Sequence, residues 1–180
     1  MLSNRILIWK FNKGSTDALR RIYEKYRGTM LTVATALCHD VHSAEDIVQD
    51  CFISFARLSG QLSMRGSLKA YLTTSVVNRV RDHYRRSKSR PTEFINADIY
   101  QCPKDGPETA AICNEQMLKI GGALANISAE LREVVVLRSR GGMTYQEIAK
   151  IQDVSIPTVQ RRYHSGLDKM RVLLSGEFEK

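Results

Sequence analysis

Apolar residues recur every three or four positions along most of the chain, which is the spacing of one buried face on an α-helix. This pattern predicts helices over residues 5–12, 18–37, 44–58 and 68–87, and a further set after residue 110. Ser43 or a neighbour is expected to cap the helix over 44–58, because short hydroxyl side chains bind the free N–H groups at helix starts. The sequence therefore predicts an all-α fold.

The helix over residues 44–58 has two contrasting faces when it is read at about 100° per residue. One face is an ordinary core stripe of Ile47, Val48, Cys51, Phe52, Phe55 and Leu58. The opposite face carries Asp46, Gln49, Asp50, Ile53 and Arg57. An apolar residue inside a polar rim is typical of a protein docking surface. A solvated face with one stray apolar residue is an equally good interpretation of this pattern.

The helix over residues 68–87 follows a turn-rich connector, 60–67, and also has an unusual outer face. Its core side carries Leu68, Leu72, Val76 and Val80. Within a band of about 100° on the other side lie Tyr71, Thr74, Asn78, Arg81, Asp82 and Arg85. Rings stack on bases, amides read base edges and guanidinium groups hold phosphates. The pattern favours nucleic-acid contact over a merely basic, solvated helix end.

Residues 91–111 differ in character from the segments on either side. Pro91, Pro103, Gly106 and Pro107 interrupt any helix, and acidic residues outnumber basic ones. We interpret this stretch as a flexible acidic linker. The predicted organisation is therefore two small helical domains, residues 1–90 and 112–180, joined by residues 91–111.

The second domain contains the pattern of a helix-turn-helix motif. Thr144 and Glu147 fit a capping box that opens a short helix, and Asp153 occupies the following turn. Ser155 caps a last helix, with Pro157 in its first turn. Val159, Tyr163, Leu167 and Met170 are expected to face inward, and Gly166 on that side permits close helix approach. The residues expected on or beside the outer face are Thr158, Gln160, Arg161, His164, Ser165 and Asp168.

The charge and composition of the chain indicate which kinds of partner and which kinds of chemistry to expect. The formal charge of +8 over 180 residues favours a polyanionic partner. No apolar run approaches the length of a membrane span, so we expect neither membrane insertion nor export. Cys38, Cys51, Cys102 and Cys113 lack metal-ligand spacing. We expect reduced thiols in a cytoplasm, with no metal, cofactor, small-molecule substrate or catalytic site.

Five short segments carry a resemblance to a known family. They are AEDIVQDCF (44–52), RGSLKAYL (65–72), LREVV (131–135), YQEIA (145–149) and TVQRR (158–162). In this order they resemble bacterial sigma factors, in particular the extracytoplasmic-function group. That family lends promoter specificity to core RNA polymerase, and its conserved region 2 and region 4 form two helical domains.

The resemblance implies a role for each candidate residue. Docking on the coiled coil of the largest polymerase subunit would use Asp46, Gln49 and Asp50, around Ile53. Melting and reading of the −10 element would use Met64, Tyr71, Thr74, Asn78, Arg81 and Arg85. Reading of the −35 element would use Thr158, Gln160, Arg161, Arg162, His164 and Ser165.

Two hypotheses of different classes follow. The first is an initiation factor that binds core RNA polymerase and promoter DNA, with an anti-sigma factor as a further partner implied by the resemblance. The second is a stand-alone helix-turn-helix regulator that binds duplex DNA and never enters polymerase. The face with Asp46, Gln49, Asp50 and Ile53 separates them, because a plain regulator has no use for it.

Overall fold

The computed structural model describes residues 4–63, 66–87 and 107–176, and within these residues the chain forms eight α-helices. The helices are α1 (Asn4–Asn12), α2 (Thr16–Cys38), α3 (Val41–Ala56), α4 (Leu68–Ser87), α5 (Pro107–Ala125), α6 (Ala129–Ser139), α7 (Tyr145–Gln152) and α8 (Ile156–Ser175). The predicted all-α fold is confirmed. Across the described residues, none of the helices is both long enough and apolar enough to cross a lipid bilayer.

Helices α1–α4 form the N-terminal domain, with α2 packed against the other three. Apolar residues at helical spacing on α2 are fully buried, among them Ile22, Met30 and Val33. The ring of Phe11 stacks on that of Phe55 at 4.6 Å between centroids, which joins α1 to α3. Burying such side chains contributes about 1.5–3 kcal/mol each, so the apolar faces are what hold these helices together.

The junction between α2 and α3 differs from the expected cap at Ser43. Helix α3 begins three residues earlier, because Asp40 is the N-cap and its Oδ2 accepts a hydrogen bond from the Ser43 backbone N–H at 2.8 Å. His39 ends α2 in the left-handed conformation, with φ of 59°. A carboxylate at the N-cap also interacts favourably with the positive end of the helix dipole, which explains why Asp40 takes the position.

Helices α5–α8 form the C-terminal domain, in which α8 crosses α6 closely at Gly166. The capping box of Thr144 and Glu147 is present, and Asp153 is left-handed with φ of 52°. Both features were expected from the sequence. Leu167 was expected to face inward, but it is 37% exposed. It lies one position past the buried Gly166, and this step turns it about 100° around α8, towards solvent.

The two domains pack against each other, and their buried residues form one continuous apolar cluster. Helix α2 contacts α6 across the boundary, so the core of the N-terminal domain extends into the C-terminal domain. Helix α5 begins at Pro107, so residues 107–111 of the predicted linker are helical. The rest of that linker lies outside the described residues.

Candidate functional site

The solvent-facing side of α3 presents the residues that the sequence had marked as unusual. Helix α3 buries Ile47, Val48, Cys51, Phe52 and Phe55 on its inner side. The opposite side, called the α3 face below, is exposed throughout and consists of Asp46, Gln49, Asp50, Ile53 and Arg57. Ile53 is 44% exposed at its centre. The structure therefore places these five side chains on one surface, with an apolar centre and a polar rim.

Arg79 of α4 holds one of these residues in position. Its Nη1 donates to Asp50 Oδ2 at 3.0 Å, and its Nη2 donates to the Asp50 carbonyl oxygen at 3.2 Å and to Ser54 Oγ. The Asp50 side chain stays 62% exposed, so one carboxylate oxygen remains accessible to a partner. Sequence reasoning missed Arg79, because a contact between two helices leaves no periodic signal in either of them.

A groove of about 400 Å³ runs beside the α3 face, between α3 and α4. It is lined by Ser43, Asp46, Ile47, Asp50, Arg79, Asp82, His83 and Arg86. The α3 wall carries the carboxylates of Asp46 and Asp50, and the α4 wall carries basic groups together with the carboxylate of Asp82. Such a mixed surface suits a partner that also carries both charges, and charge complementarity of this kind sets orientation more than affinity.

The outer face of α4 is only partly open to solvent. Asn78 and Arg85 are exposed, and Arg85 Nη2 lies 3.0 Å from Asp82 Oδ1. Tyr71 is half-buried, with its ring 6.2 Å from that of Phe55. Thr74 Oγ1 donates to the Ala70 carbonyl oxygen at 2.7 Å. Met64, the remaining predicted −10 residue, lies outside the described residues.

Arg81 of α4 is bound to the C-terminal domain. Its Nε donates to Glu133 Oε2 at 3.0 Å and its Nη2 to Glu133 Oε1 at 2.7 Å. The Glu133 side chain is only 11% exposed. The sequence did not single out Glu133, although a carboxylate before three apolar residues of α6 is a signal that could have been followed. A buried charge needs a partner, and Arg81 supplies it.

The N-terminal half of α8 presents the predicted −35 residues in two groups. Gln160, Arg161 and His164 are exposed. Thr158, Arg162 and Ser165 are half-buried. Thr158 pairs with the cap Ser155 at 2.8 Å between hydroxyl oxygens. Arg162 Nη1 donates to Gln152 Oε1 at 2.7 Å, and this hydrogen bond links α8 to α7.

Of the described cysteines, Cys51 is buried and Cys38 is half-buried. Burial raises the pKa of the Cys38 thiol to about 12 and that of the Cys51 thiol to about 11. A thiol reacts and binds metals as the thiolate, so both side chains are inert at neutral pH. Each serves as a small apolar group in the core.

Two family models match the chain and together span most of its length. The model described as Sigma-70 region 2 matches residues 22–90, and the model described as Sigma-70, region 4 matches residues 117–170. The RNA polymerase sigma-H factor of Pseudomonas aeruginosa is 23% identical over 87% of this chain and 86% of its own. The ECF RNA polymerase sigma factor SigW of Bacillus subtilis is 25% identical over 95% of each chain.

Solved structures show the same fold. The chain is similar to CnrH, solved in complex with the cytosolic domain of CnrY, with a TM-score of 0.73 and 21% identity over 96% of this chain and 97% of that one. It is also similar to the sigma factor RpoE of Bartonella quintana, solved with the anti-sigma factor NepR, with a TM-score of 0.68 and 22% identity over 87% and 96% of the two chains. The order of the five segments, the two family models and the fold agree, and the chain belongs to the sigma-70 family, in its extracytoplasmic-function group.

Proposed function

We propose that this chain is a sigma factor that binds core RNA polymerase through the α3 face and directs transcription to specific promoters. In this proposal the outer face of α4 melts and reads the −10 element, and the N-terminal half of α8 reads the −35 element. The factor supplies binding and orientation, and the polymerase carries out the chemistry. It works in the cytoplasm, where polymerase and the chromosome are.

The observation that carries this proposal is the α3 face itself. Ile53 is solvent-exposed in the middle of Asp46, Gln49 and Asp50, on a helix whose other side is completely buried. An exposed apolar centre surrounded by a polar rim is typical of a protein docking surface, and this arrangement supports a partner protein. Family membership identifies that partner as core RNA polymerase.

We expect the double substitution Asp46→Ala, Gln49→Ala to abolish holoenzyme formation. Both side chains are exposed and make no contact with the core, so the domain should keep its stability within about 0.5 kcal/mol. Loss of hydrogen-bonding groups beside a buried anchor typically costs 2 kcal/mol or more in affinity, roughly thirtyfold. Co-purification with core polymerase and the thermal midpoint of the free chain measure the two quantities.

Glu24→Ala is the matched control. Glu24 is also an exposed carboxylate of the N-terminal domain, but it lies on α2, where it pairs with Arg20 at 2.8 Å. This variant should bind polymerase as the natural chain does. Unchanged polymerase binding by the double variant would refute the proposal, and equal losses in the double variant and the control would remove the special role of this face.

An anti-sigma factor is the second proposed protein partner. Both solved structures reported above contain a further protein with the sigma-like chain, and one of these is described as an anti-sigma factor. A protein that covers the α3 face would compete directly with polymerase. Competition between the two for the purified chain is therefore the expected mode of regulation.

The alternative function is a stand-alone regulator that binds duplex DNA. The helix-turn-helix and the net charge of +8 support DNA binding under either hypothesis. The α3 face has no place in this alternative. Tight, sequence-specific binding of intact duplex by the chain alone, together with failure to join polymerase, would favour it.

A further inference from the structure

Arg79 of α4 is half-buried beside the α3 face but is not part of it. Its guanidinium donates to three acceptors on α3, which are the Asp50 carboxylate, the Asp50 carbonyl oxygen and the Ser54 hydroxyl. The same guanidinium lies within hydrogen-bonding reach of the Cys51 thiol. Arg79 therefore contacts one full turn of α3 at several points, whereas an ordinary surface ion pair joins only two charged groups.

These contacts set the direction of the Asp50 carboxylate. A planar guanidinium donates along fixed directions, so a carboxylate that accepts from it has one preferred orientation. Because Nη2 is bound to the Asp50 carbonyl oxygen at 3.2 Å, this orientation is fixed relative to the helix backbone. Nη1 occupies Oδ2 at 3.0 Å, and the side chain remains 62% exposed. A partner therefore meets a carboxylate whose orientation is already set.

Arg79 also offsets a repulsion within the α3 face. Asp46 and Asp50 are four positions apart on one helix, where like charges are neighbours and repel each other. Arg79 lines the same groove as both carboxylates and is bound directly to one of them. Removal of this cation would favour rotamers that move the two carboxylates apart. Charge and geometry thus both make Arg79 the residue that keeps Asp50 in place.

We propose that Arg79 is a positioning residue for polymerase docking, which holds the Asp50 carboxylate in the orientation that polymerase binds. This inference rests on the proposed function of the α3 face, and it extends the docking site from one helix to two. A side chain that is ordered before binding avoids the free-energy cost of being ordered on binding. Arg79 acts through Asp50 and not by a contact of its own with polymerase.

The first experiment measures the orientation of Asp50 in the full chain alone, by nuclear magnetic resonance. Three-bond coupling constants report how the side chain is distributed among its χ1 rotamers. We expect one dominant rotamer in the natural chain and averaged couplings in Arg79→Ala. Averaged couplings in the natural chain, or identical couplings in the two proteins, would overturn the proposal whether or not the chain binds polymerase.

The second experiment measures the affinity of the chain for core RNA polymerase by fluorescence anisotropy. We expect Arg79→Ala to weaken binding by about two- to tenfold, which is the effect of ordering one side chain at an interface. Arg79→Lys keeps the charge, but its single nitrogen cannot reach all three acceptors at once, so its affinity should be intermediate. Unchanged or tighter binding by Arg79→Ala would overturn the proposal.

A double-mutant cycle separates an action through Asp50 from a direct contact with polymerase. In an Asp50→Ala background, Arg79→Ala should cause no further loss of affinity. Combined with Gln49→Ala, the two losses should multiply to within about twofold, because Gln49 is an uncharged neighbour on the α3 face. An undiminished effect of Arg79→Ala in the Asp50→Ala background would show that Arg79 binds polymerase itself, and the positioning role would be wrong.

Folding is measured in parallel, so that a structural defect is not taken for a loss of positioning. Arg20→Ala is the matched control, because it removes an exposed arginine that pairs with Glu24 at 2.8 Å on α2, and it should bind polymerase as the natural chain does. Thermal midpoints identify any unfolded variant, and Arg79→Lys replaces Arg79→Ala if the latter does not fold. If the natural chain failed to bind polymerase, the proposed function would fail, and the rotamer measurement would still decide whether Arg79 orients Asp50.

Discussion

His39 has a left-handed backbone conformation and a partly buried imidazole that is costly to protonate. It ends α2 with φ of 59°, and its Nε2 is buried without a hydrogen-bond partner among the described residues. Burial, and after it the nearby charge of Arg132, lowers the pKa of the His39 imidazole to about 4. The folded protein therefore holds this imidazole in its neutral form.

We expect His39 to make the chain less stable in mild acid. The unfolded chain binds a proton at His39 below about pH 6.5, whereas the folded protein binds it only near pH 4. Between these values unfolding takes up a proton, so the free energy of unfolding falls as the pH falls. Above pH 6.5 the full contribution is present. Denaturant titrations from pH 7 to pH 4 measure the effect.

His39→Asn separates this contribution from those of the carboxylates. Asn also accepts the left-handed conformation, but it does not titrate. The variant should lose less stability than the natural chain between about pH 6.5 and pH 4. Parallel stability curves for the two proteins would show that His39 is not responsible.

Helix pairs depend on close approach at a few positions, and Gly166 is the clearest of these. A Cβ added there would lie 2.6 Å from Val135 Cγ2 and 3.5 Å from the Leu131 carbonyl oxygen. Val135 is β-branched and buried, so it has little freedom to move aside. Gly166 therefore sets the distance between α6 and α8, and with it the position of the recognition helix.

We expect Gly166→Ala to destabilise the chain by about 1–3 kcal/mol, because overpacking outweighs the better helix propensity of Ala. Gly122→Ala is the matched control on α5. No atom lies within 4 Å of a Cβ added at Gly122, so this variant should be more stable by about 0.5–1 kcal/mol. Thermal unfolding of both variants measures the difference, and a higher midpoint for Gly166→Ala would contradict the packing argument.

The spacing of apolar residues predicted the helices well, but it predicted the helix caps and the burial of individual residues less well. The predicted helices over 5–12 and 68–87 match α1 and α4 closely, since 3.6-residue spacing is a property of the local chain. The caps were harder to predict. Ser43 and Asp40 are both good N-cap residues, and only the path from α2 to α3 decides between them. Leu167 was misplaced because helical spacing does not show how wide the buried stripe of α8 is, and Leu167 lies at its edge.

The whole molecule places its two predicted DNA-binding surfaces together, which bears on how it recognises DNA. Net charge of +8 attracts any duplex, but charge alone carries no sequence information. Two linked contacts bind far more tightly than either alone when their spacing is held correctly. Core polymerase is the component that would hold this spacing.

We expect the free chain to bind a promoter duplex weakly, with little preference between natural and scrambled −35 sequences. Addition of core polymerase should increase the affinity by a factor of about 100 or more and restore the preference. Fluorescence anisotropy with labelled duplexes at fixed salt measures both quantities. Tight and selective binding by the free chain would contradict this expectation.

For the candidate surfaces too, the sequence predicted which residues share a helix face but not which residues of other helices they contact. Helical arithmetic identified the α3 face, and the structure places its residues together at the surface. Arithmetic also grouped Arg81 with Tyr71, Thr74 and Asn78, and all of them lie on the outer side of α4. It did not reveal that Glu133, 52 positions away, would bind Arg81.

The linear order of residues was sufficient for the helices, their buried faces, the capping box at Thr144, the left-handed turn at Asp153 and the family. All of these depend on contacts within one helix or between adjacent residues, so they follow from spacing and side-chain chemistry. The pairing of Arg81 with Glu133, the support of Asp50 by Arg79 and the burial of His39 depend on which helices meet. Packing between distant segments sets those contacts, because an apolar or charged face is compatible with several partners until the chain folds.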